Sequence, residues 1–497
     1  MRKPFLLPVI SLVLIGLTVF LGYFVQRTDF QSFIAAYTAF FGLYVWIVFY
    51  QRQHFSVIET RALLWLGIGL RVLLLFSLPN LSDDYARFLW DGHLSVAGIH
   101  PFLHPPSYFI DNQIFPPGIT LELFGKINSP GYYTVYPPVC QGVFMLAAWL
   151  FPTSELGGVF VMKLFLLACE LGTLQLLWSN NKGFEEPGKD QRERLPNLLS
   201  HEQSATICNR TQYATLAYAL NPLIILEICG NCHFEGAMIF FLLAGVAALQ
   251  RVNLVKGAIF WALATASKIL PIMFLPIVWR WLGWRKGLVF NLVFAAAGLL
   301  IFAPVLAVLP NILASLDLYF RKFQFNASIY YLVREVGFSK IGWDIGEYSG
   351  PALGGITMIG VLLLAFLMKG GMALIPSGKA PFKAPSKSGF KGVNAPFLER
   401  INAILPAVLL FALMIYLSLA ATVQPWYVTV VFALSLSTNW RFAVVWSGTA
   451  ALSYSHYDGG GLQENYVLIG LEYGILWAFL LWELWQRYVR KPAQKFS

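Results

Sequence analysis

The sequence predicts an all-α protein, a polytopic transmembrane bundle of about 12 to 14 helical spans. Hydrophobic residues make up 57% of the 497 residues, charged residues only 12%, and the mean hydropathy is +0.63. A soluble domain has about 25% charged residues, so this composition excludes a water-soluble globule. Several of the apolar segments are shorter than the roughly 20 residues that cross a hydrocarbon core. We therefore expect some helices to be broken or re-entrant.

The net charge of +10 is concentrated in a few basic segments, residues 2–3, 280–286, 369–400 and 487–495. Cytoplasmic loops of membrane proteins carry an excess of Lys and Arg, so these segments are predicted to be cytoplasmic. The basic balance is then explained by topology and does not indicate nucleic-acid binding. Residues 79–136, the acidic loop, carry five carboxylates against Arg87 and Lys126. This loop is predicted to lie on the outer face.

The course of the chain between the acidic loop and residue 235 is open. Full crossings at 137–151, 157–178 and 213–229 would place Asn231 and His233 on the cytoplasmic side. If these two residues belong to the outer side, one segment between 137 and 178 must turn back partway. Both courses fit the sequence.

The first part of the acidic loop has the pattern of an amphipathic helix. At 100° per residue, its polar side chains share one arc, and Ala86, Leu89 and Trp90 lie on the opposite arc. This pattern predicts a helix in the membrane interface with its acidic side facing water. The polar arc consists of Asp84, Arg87, Asp91 and Ser95.

The carboxylates of this helix allow two interpretations. A carboxylate beside a low-dielectric surface is a candidate general base, because desolvation raises its pKa toward the working range. The alternative is a structural ion-pair ladder, since Asp84 and Asp91 flank Arg87 at spacings of three and four residues. Gly92 and the turn at 98–102 favour a functional loop, because a purely structural ladder does not need them.

The segment Asp84–Gly92 (DYARFLWDG), followed by Ala97–Phe102 (AGIHPF), resembles a loop motif of known enzymes. It is similar to the D-x-x-R-Y-x-W-D-G … G-I-N-P-Y loop of polyprenol-phosphate-sugar-dependent glycosyltransferases of the GT-C superfamily, in particular their mannosyltransferase-like bacterial branch. Further matches follow in the family's order over roughly residues 60 to 430. They are Tyr136-Pro-Pro with Gln141, Asn221-Pro, Gly230–Glu235 (GNCHFE), Lys268 before Pro271, Phe325–Ser328 (FNAS) and Gln424–Tyr427 (QPWY).

The resemblance implies an inverting sugar transfer from a polyprenyl-phosphate donor to a glycan or lipid acceptor. One carboxylate deprotonates the acceptor hydroxyl, and the lipid phosphate leaves without protonation. Asp84 aligns with the family's loop aspartate and is the expected base, with Asp83 as the fallback. The implied location is the bacterial inner (plasma) membrane, multi-pass, with the active site on the periplasmic or extracellular face.

A departing phosphate needs cations in a water-poor site. Lys268 is the first candidate, because an ionisable residue inside an apolar span indicates a functional site. Its alternative is snorkelling to the interface. Arg87, Arg321 and Arg334 are secondary phosphate candidates that could equally anchor lipid headgroups.

The remaining candidate site residues are expected to bind substrate, mostly on the strength of the resemblance. His233 could instead be a structural hydrogen-bonded residue, and Trp426 and Tyr427 could belong to an aromatic belt at the bilayer interface. His100, Cys232 and Glu235 depart from the family's usual Asn, Gly and Asp, which leaves the sugar undefined. The substrate-binding candidates are Asp91, Tyr136, Asn231, His233, Glu235, Asn326, Gln424, Trp426 and Tyr427.

No cofactor is predicted with certainty. Asp83 and Asp84 could hold a divalent cation, but the sequence shows no complete ligand set. Cys229 and Cys232 have a two-residue spacing inside an apolar run, and we interpret both as core residues rather than a metal site. Lys163 and Glu170, seven residues apart in one span, are expected to pair or cap each other.

The chain is predicted to have three parts. Residues 1–60 form two additional N-terminal spans. Residues 61–350 form the GT-C-like catalytic transmembrane module with the acidic loop, and residues 351–497 form C-terminal helices with a basic cytoplasmic linker at 369–402.

Two other functions remain as alternatives. A secondary transporter would also have many spans, broken helices and mid-membrane charge, but transporters usually contain an internal repeat, and the acidic loop has no counterpart in the second half. A polysaccharide polymerase or ligase would share the large outer loop, although it would place that loop late in the chain. A glycosyltransferase fits the early acidic loop best.

Overall fold

The computed structural model describes residues 6–51, 55–179, 213–321, 323–368 and 395–490. These residues are helical almost throughout and contain no β-strand, only an isolated bridge between Phe325 and Thr422. The prediction of an all-α fold is confirmed. The predicted division at residues 60 and 350 stays a prediction.

The N-terminal half of the described chain contains ten helices, two of which flank a sharp bend. These are α1 Leu6–Val19, α2 Phe30–Val45, α3 Val57–Leu74, α4 Asp84–Val96, α5 Pro106–Asp111, α6 Leu121–Gly125, α7 Pro138–Leu150, α8 Glu155–Ser179, α9 Tyr213–Leu220 and α10 Pro222–Gly230. Helices α1 and α2 each continue into a short π-helical turn, at Phe20–Phe24 and Trp46–Gln51.

The C-terminal half contains eleven described helices. These are α11 Glu235–Gln250, α12 Leu254–Ser267, α13 Leu275–Leu282, α14 Trp284–Phe302, α15 Leu309–Arg321, α16 Ile329–Ile341, α17 Gly346–Leu367, α18 Ala395–Leu419, α19 Tyr427–Leu436, α20 Phe442–Thr449 and α21 Tyr466–Trp485. Short 3₁₀ segments at Leu270–Phe274, Ala303–Val308 and Ala450–Gly460 connect some of them, and a π-helical turn, Gln486–Arg490, follows α21.

Among the described residues, six helices are long and apolar enough to cross a membrane, or seven if one bent pair counts as a single span. The bent pair is α9 and α10, which meet at 49°. This bend confirms the expectation of broken helices. It lies at Pro222, which supplies no amide hydrogen to the hydrogen bonds of the helix. The count of 12 to 14 spans stays a prediction. The six are Leu7–Phe24, Phe30–Tyr50, Glu155–Trp178, Trp284–Ser315, Tyr348–Leu367 and Tyr466–Trp485.

Helix α7 begins and ends on the side of the bundle where the acidic loop lies. It has 13 residues, and the ion pair between Lys126 and Glu155, 2.7 Å long, holds the start of α8 against the acidic loop. The next long helix therefore starts again from the side at which α7 started. This contact agrees with the course in which one segment between 137 and 178 turns back partway, and the course of the chain across a membrane stays a prediction.

Helix α4 is buried in the protein, so the prediction of an interfacial helix with its acidic side facing water is wrong. Arg87 and Asp91 are both buried and pair at 2.9 Å. Gly92 lets α4 approach α7 closely, since a Cβ there would lie 2.3 Å from the Phe144 carbonyl oxygen. Burial is tolerated because the charges on the polar arc neutralise each other.

The expected pairing of Lys163 with Glu170 is also wrong. Glu170 pairs with Arg71 at 3.0 Å, both side chains being fully buried. Lys163 instead donates hydrogen bonds to the carbonyl oxygens of Leu74 and Ser77, at 2.8 and 2.7 Å. The lysine thus satisfies carbonyl groups left free where α3 ends. Both contacts join α8 to α3 and fix the position of the acidic loop that follows α3.

Candidate active site

The two aspartates at the start of α4 have different surroundings. Asp83 accepts a hydrogen bond from Arg27 at 2.7 Å and another from Asn128 at 2.8 Å. Asp84 accepts one from Asn128 at 3.1 Å, and its second oxygen lies 3.9 Å from the Nε2 atom of His233. Asp83 is therefore held by an ion pair, whereas Asp84 keeps one oxygen available.

The surroundings of Asp84 raise the pKa of its carboxyl group. Its side chain is 19% exposed, and its removal from water raises the pKa of the carboxyl group above the ordinary value. The neighbouring Asp83 charge acts in the same direction, and attraction to His233 and Lys268 partly opposes it. A raised pKa makes an aspartate a stronger base when it is ionised.

His233 lies at the break between α10 and α11, where three side chains converge on one buried carboxylate. Glu227 faces the His233 Nδ1 atom at 3.1 Å and accepts hydrogen bonds from Asn231 at 3.0 Å and from Tyr454 at 2.7 Å. The other imidazole nitrogen lies 3.3 Å from the Ser82 hydroxyl. The imidazole orientation is therefore fixed from both sides.

An indole ring closes one side of this group. Trp426 stacks on the His233 imidazole with ring centroids 3.8 Å apart. The predicted QPWY segment thus meets the predicted GNCHFE segment.

Cys229 and Cys232 are fully buried, in agreement with their interpretation as core residues. Cys232 adopts a positive φ of 65° that makes the turn after α10.

Lys268 lies at a second break, between α12 and the 3₁₀ segment that follows. The backbone there is extended, and the ammonium group pairs with Glu235 at 3.0 Å and faces the Tyr136 ring at 5.5 Å. The side chain remains 23% exposed. The second oxygen of Glu235 is buried and has no hydrogen-bond partner among the described residues.

A narrow apolar slot opens beside this ion pair. Its volume is about 120 Å³. Lys268 and Glu235 are the charged groups of its lining, and the other residues are apolar or aromatic. A slot of this kind suits a lipid chain that ends in an anion. It is lined by Glu235, Met238, Lys268, Ile269, Leu270, Tyr416, Leu417, Tyr427 and Val430.

Several candidate residues are buried, and their polar groups are hydrogen-bonded to other parts of the protein. Asp91 receives hydrogen bonds from Arg87 and from Gln141, both at 2.9 Å. Arg87 also donates to the carbonyl oxygens of Ser129 and Tyr132. These contacts tie α4 to the end of the acidic loop and to α7. Asp91 and Arg87 are therefore placed to position the loop.

The candidates from the C-terminal part form a second group. Asn326 has a positive φ of 47° and donates to Glu472 at 3.1 Å. Gln424 is buried. Arg334 binds Gln324, Glu335 and Tyr466.

Arg321 ends α15, and its side chain lies outside the described residues. Among the described residues, no group of three or more His, Cys, Asp or Glu side chains could hold a metal ion.

Sequence reasoning missed three residues that touch the aspartates or His233. They are Arg27, Asn128 and Glu227. Glu227 carried a usable signal, because it is an ionisable residue inside an apolar segment, like Lys268. Arg27 and Asn128 carried none, since both are polar residues in polar connections.

Comparisons with known proteins agree with this geometry. Residues 203–283 match the family model described as Alpha-(1->6)-mannopyranosyltransferase, N-terminal domain. The chain is also 28% identical over 276 residues to Alpha-(1->6)-mannopyranosyltransferase A of Mycobacterium tuberculosis, a match that covers 50% of this chain and 47% of that protein. The chain thus spans about half the length of this relative. The resemblance to mannosyltransferases is confirmed, and the family model covers Asn221, Glu227, His233, Glu235 and Lys268.

The surroundings of the carboxylates predict opposite effects of two isosteric substitutions on stability. Because the pKa of Asp84 is raised on folding, its ionised form disfavours the folded state at every pH above that pKa. Asp84→Asn should therefore unfold at the wild-type temperature or higher at pH 7. Asp91→Asn should cost about 3 kcal/mol, because it leaves the buried Arg87 charge uncompensated.

Thermal unfolding of the purified variants in one detergent measures both effects. Glu122→Gln is the matched control, because Glu122 is an exposed carboxylate of the same loop. A marked loss of stability in Asp84→Asn would show that Asp84 has a structural role.

Proposed function

We propose that the protein is an integral-membrane mannosyltransferase. It transfers a mannose-like hexose from a polyprenyl-phosphate sugar to a lipid or glycan acceptor, with inversion at the anomeric carbon. The observation that carries the proposal is the set of contacts at the break between α10 and α11. Asp84, which is partly exposed, lies next to His233. Glu235, at the start of α11, pairs with Lys268 at the mouth of the apolar slot. The similarity to mannosyltransferases supports the choice of sugar class.

The two ends of the site suit the two substrates. The lipid chain of the donor lies in the slot between Met238, Leu417 and Val430, and its phosphate meets the Lys268 ammonium group. The acceptor hydroxyl approaches from the side of Asp84. Lys268 and Asp84 are near enough for the lysine charge to lower the pKa of the aspartate. A sugar between them would be attacked from the face opposite the phosphate.

The reaction needs one proton transfer. As the acceptor oxygen bonds to the anomeric carbon, its proton moves to Asp84, and the bond between that carbon and the phosphate oxygen breaks. The electron pair remains on the phosphate, where Lys268 stabilises the charge. Asp83 is the less suitable base, because Arg27 already neutralises it.

We assign His233 and Glu227 to positioning. Glu227 holds the imidazole through Nδ1, so the Nε2 atom is directed at Ser82 and Asp84. The nearby imidazole stabilises the ionised aspartate before the proton transfer. Trp426 stacks on the other side of the imidazole and leaves Tyr427 in the slot lining.

The proposed orientation follows from the basic segments. With the N-terminus inside, the first three helices bring the acidic loop to the outer face of the inner membrane. Helix α7 returns to the same face, and α8 with the bent α9–α10 pair then makes one passage in and one out. Asn231 and His233 thereby reach the outer face together with Asp84.

The first prediction of this function concerns the base. Asp84→Asn should reduce transfer by at least about 10²-fold, because removal of a general base costs 10²–10⁴-fold. The assay incubates the purified protein and acceptor-containing membranes with a panel of polyprenyl-phosphate sugars, and scores release of free polyprenyl phosphate. Glu122→Gln should retain activity. Full transfer by Asp84→Asn, with loss in Asp83→Asn, would move the role to Asp83, and release from no donor would refute the function.

The second prediction concerns the phosphate site. Lys268→Ala should lower kcat/KM for the donor by roughly 10²-fold, because a charge-assisted contact is lost in a water-poor site. Lys268→Arg should recover part of the activity, since it keeps the charge. Lys256→Ala, an exposed lysine of the same helix α12, is the control. If Lys268→Ala only lowers the unfolding temperature and leaves kcat/KM unchanged, the lysine has no part in donor binding.

The third prediction uses pH to test positioning. Activity should fall as pH decreases through the raised pKa of Asp84, because protonation removes the base. In Glu227→Gln the imidazole loses the carboxylate that holds it toward Asp84, so the attraction to His233 that lowers the pKa of Asp84 weakens. The acid limb of the kcat/KM profile should therefore move to higher pH, and kcat should drop. A uniform loss at all pH values, with an unmoved acid limb, would mean that Glu227 serves stability alone.

A further inference from the structure

A second and larger groove opens away from the proposed active site. It has a volume of about 460 Å³ and lies where α13, α14 and α17 meet. Leu275, Pro276 and Ala365 form apolar walls, and Phe366 is 77% exposed at its rim. The apolar walls on a membrane-facing surface suit acyl chains. The proposed function makes no use of this groove.

One end of the groove carries an unneutralised positive charge. Arg280 lines it and is exposed, and it makes no hydrogen bond or ion pair with any described residue. Arg285 follows at the start of α14 and is also exposed. A guanidinium group presents a planar fork of donors that matches a phosphate. The charge of this end of the groove therefore complements an anion.

A polar side chain and two indoles mark the depth of the groove. Asn291 also lines it, and its amide uses one hydrogen to bind the Gly287 carbonyl oxygen at 2.8 Å. Trp279 and Trp284 lie with ring centroids 5.3 Å apart beside the basic residues. Indole rings concentrate at the level of lipid headgroups. We therefore expect the cationic end at the level of lipid phosphates and the apolar walls toward the acyl chains.

We propose that this groove binds an anionic glycerophospholipid. Its phosphate pairs with Arg280 and accepts a hydrogen bond from Asn291, and one acyl chain lies against Phe366. Basic pockets between transmembrane helices on the cytoplasmic side are sites of this kind. The groove is separate from the donor slot, because the two share no lining residue.

The test is lipid titration of the purified, delipidated full-length protein, followed by native mass spectrometry. Dioleoyl phosphatidylglycerol should bind more tightly than dioleoyl phosphatidylcholine. Arg280→Gln should weaken phosphatidylglycerol binding roughly tenfold, the value of one charge-assisted hydrogen bond, and phosphatidylcholine binding less, because the choline cation already offsets its phosphate charge. Arg251→Gln is the matched control, an exposed arginine in the turn between α11 and α12, and it should keep the wild-type preference.

A second variant tests the proposal independently in case Arg280→Gln does not fold. Asn291→Asp places a negative charge in the groove and should also abolish the preference for phosphatidylglycerol. Equal binding of the two lipids to the wild type, or an unchanged preference in either variant, would overturn the proposal. Competition decides the source of the phosphate. If inorganic phosphate or polyprenyl phosphate displaces phosphatidylglycerol at equal concentration, the groove is not a phospholipid site.

Discussion

The arrangement of the candidate site depends on the contact between Glu227 and His233. Polar groups inside an apolar bundle are costly unless they are paired, and Glu227 pairs with Asn231, His233 and Tyr454 together. These partners hold the break between α10 and α11 in one conformation. Because His233 also faces Ser82 and Asp84, the same buried carboxylate sets the position of the imidazole relative to the aspartate.

Two helix breaks supply most of the residues of the candidate site. The break before α11 presents His233 and Glu235, and the break after α12 presents Lys268, so the ion pair between Glu235 and Lys268 connects them. The connection between the first two helices also contributes to this arrangement. Arg27, in the connection between α1 and α2, neutralises Asp83 and lies over the Tyr457 ring. This contact distinguishes two aspartates that are adjacent in the sequence.

Composition and the length of the apolar segments sufficed to predict the all-α class, because a long apolar segment in lipid satisfies its backbone hydrogen bonds within a helix. The prediction of Lys268 as a buried functional cation rested on the same reasoning, and the structure gives it an acidic partner. The polar arc of α4 led to the wrong prediction of an interfacial helix for a physical reason. A helical period shows that polar side chains share a face, but it does not distinguish water from a protein interior in which Arg87, Asp91 and Gln141 satisfy one another. The partner of Glu170 was likewise unpredictable, because Arg71 is 99 residues distant in sequence.

The salt bridge between Lys268 and Glu235 has a consequence for turnover. In the reaction that we propose, Glu235 already neutralises Lys268 before the donor binds, so the donor phosphate would compete with this carboxylate for the ammonium group. This competition would weaken binding of the sugar-linked polyprenyl phosphate before the reaction and of free polyprenyl phosphate after it. An enzyme that retained isoprenyl phosphate tightly would be inhibited by its own by-product, and an internal competitor of this kind favours its return to the bilayer.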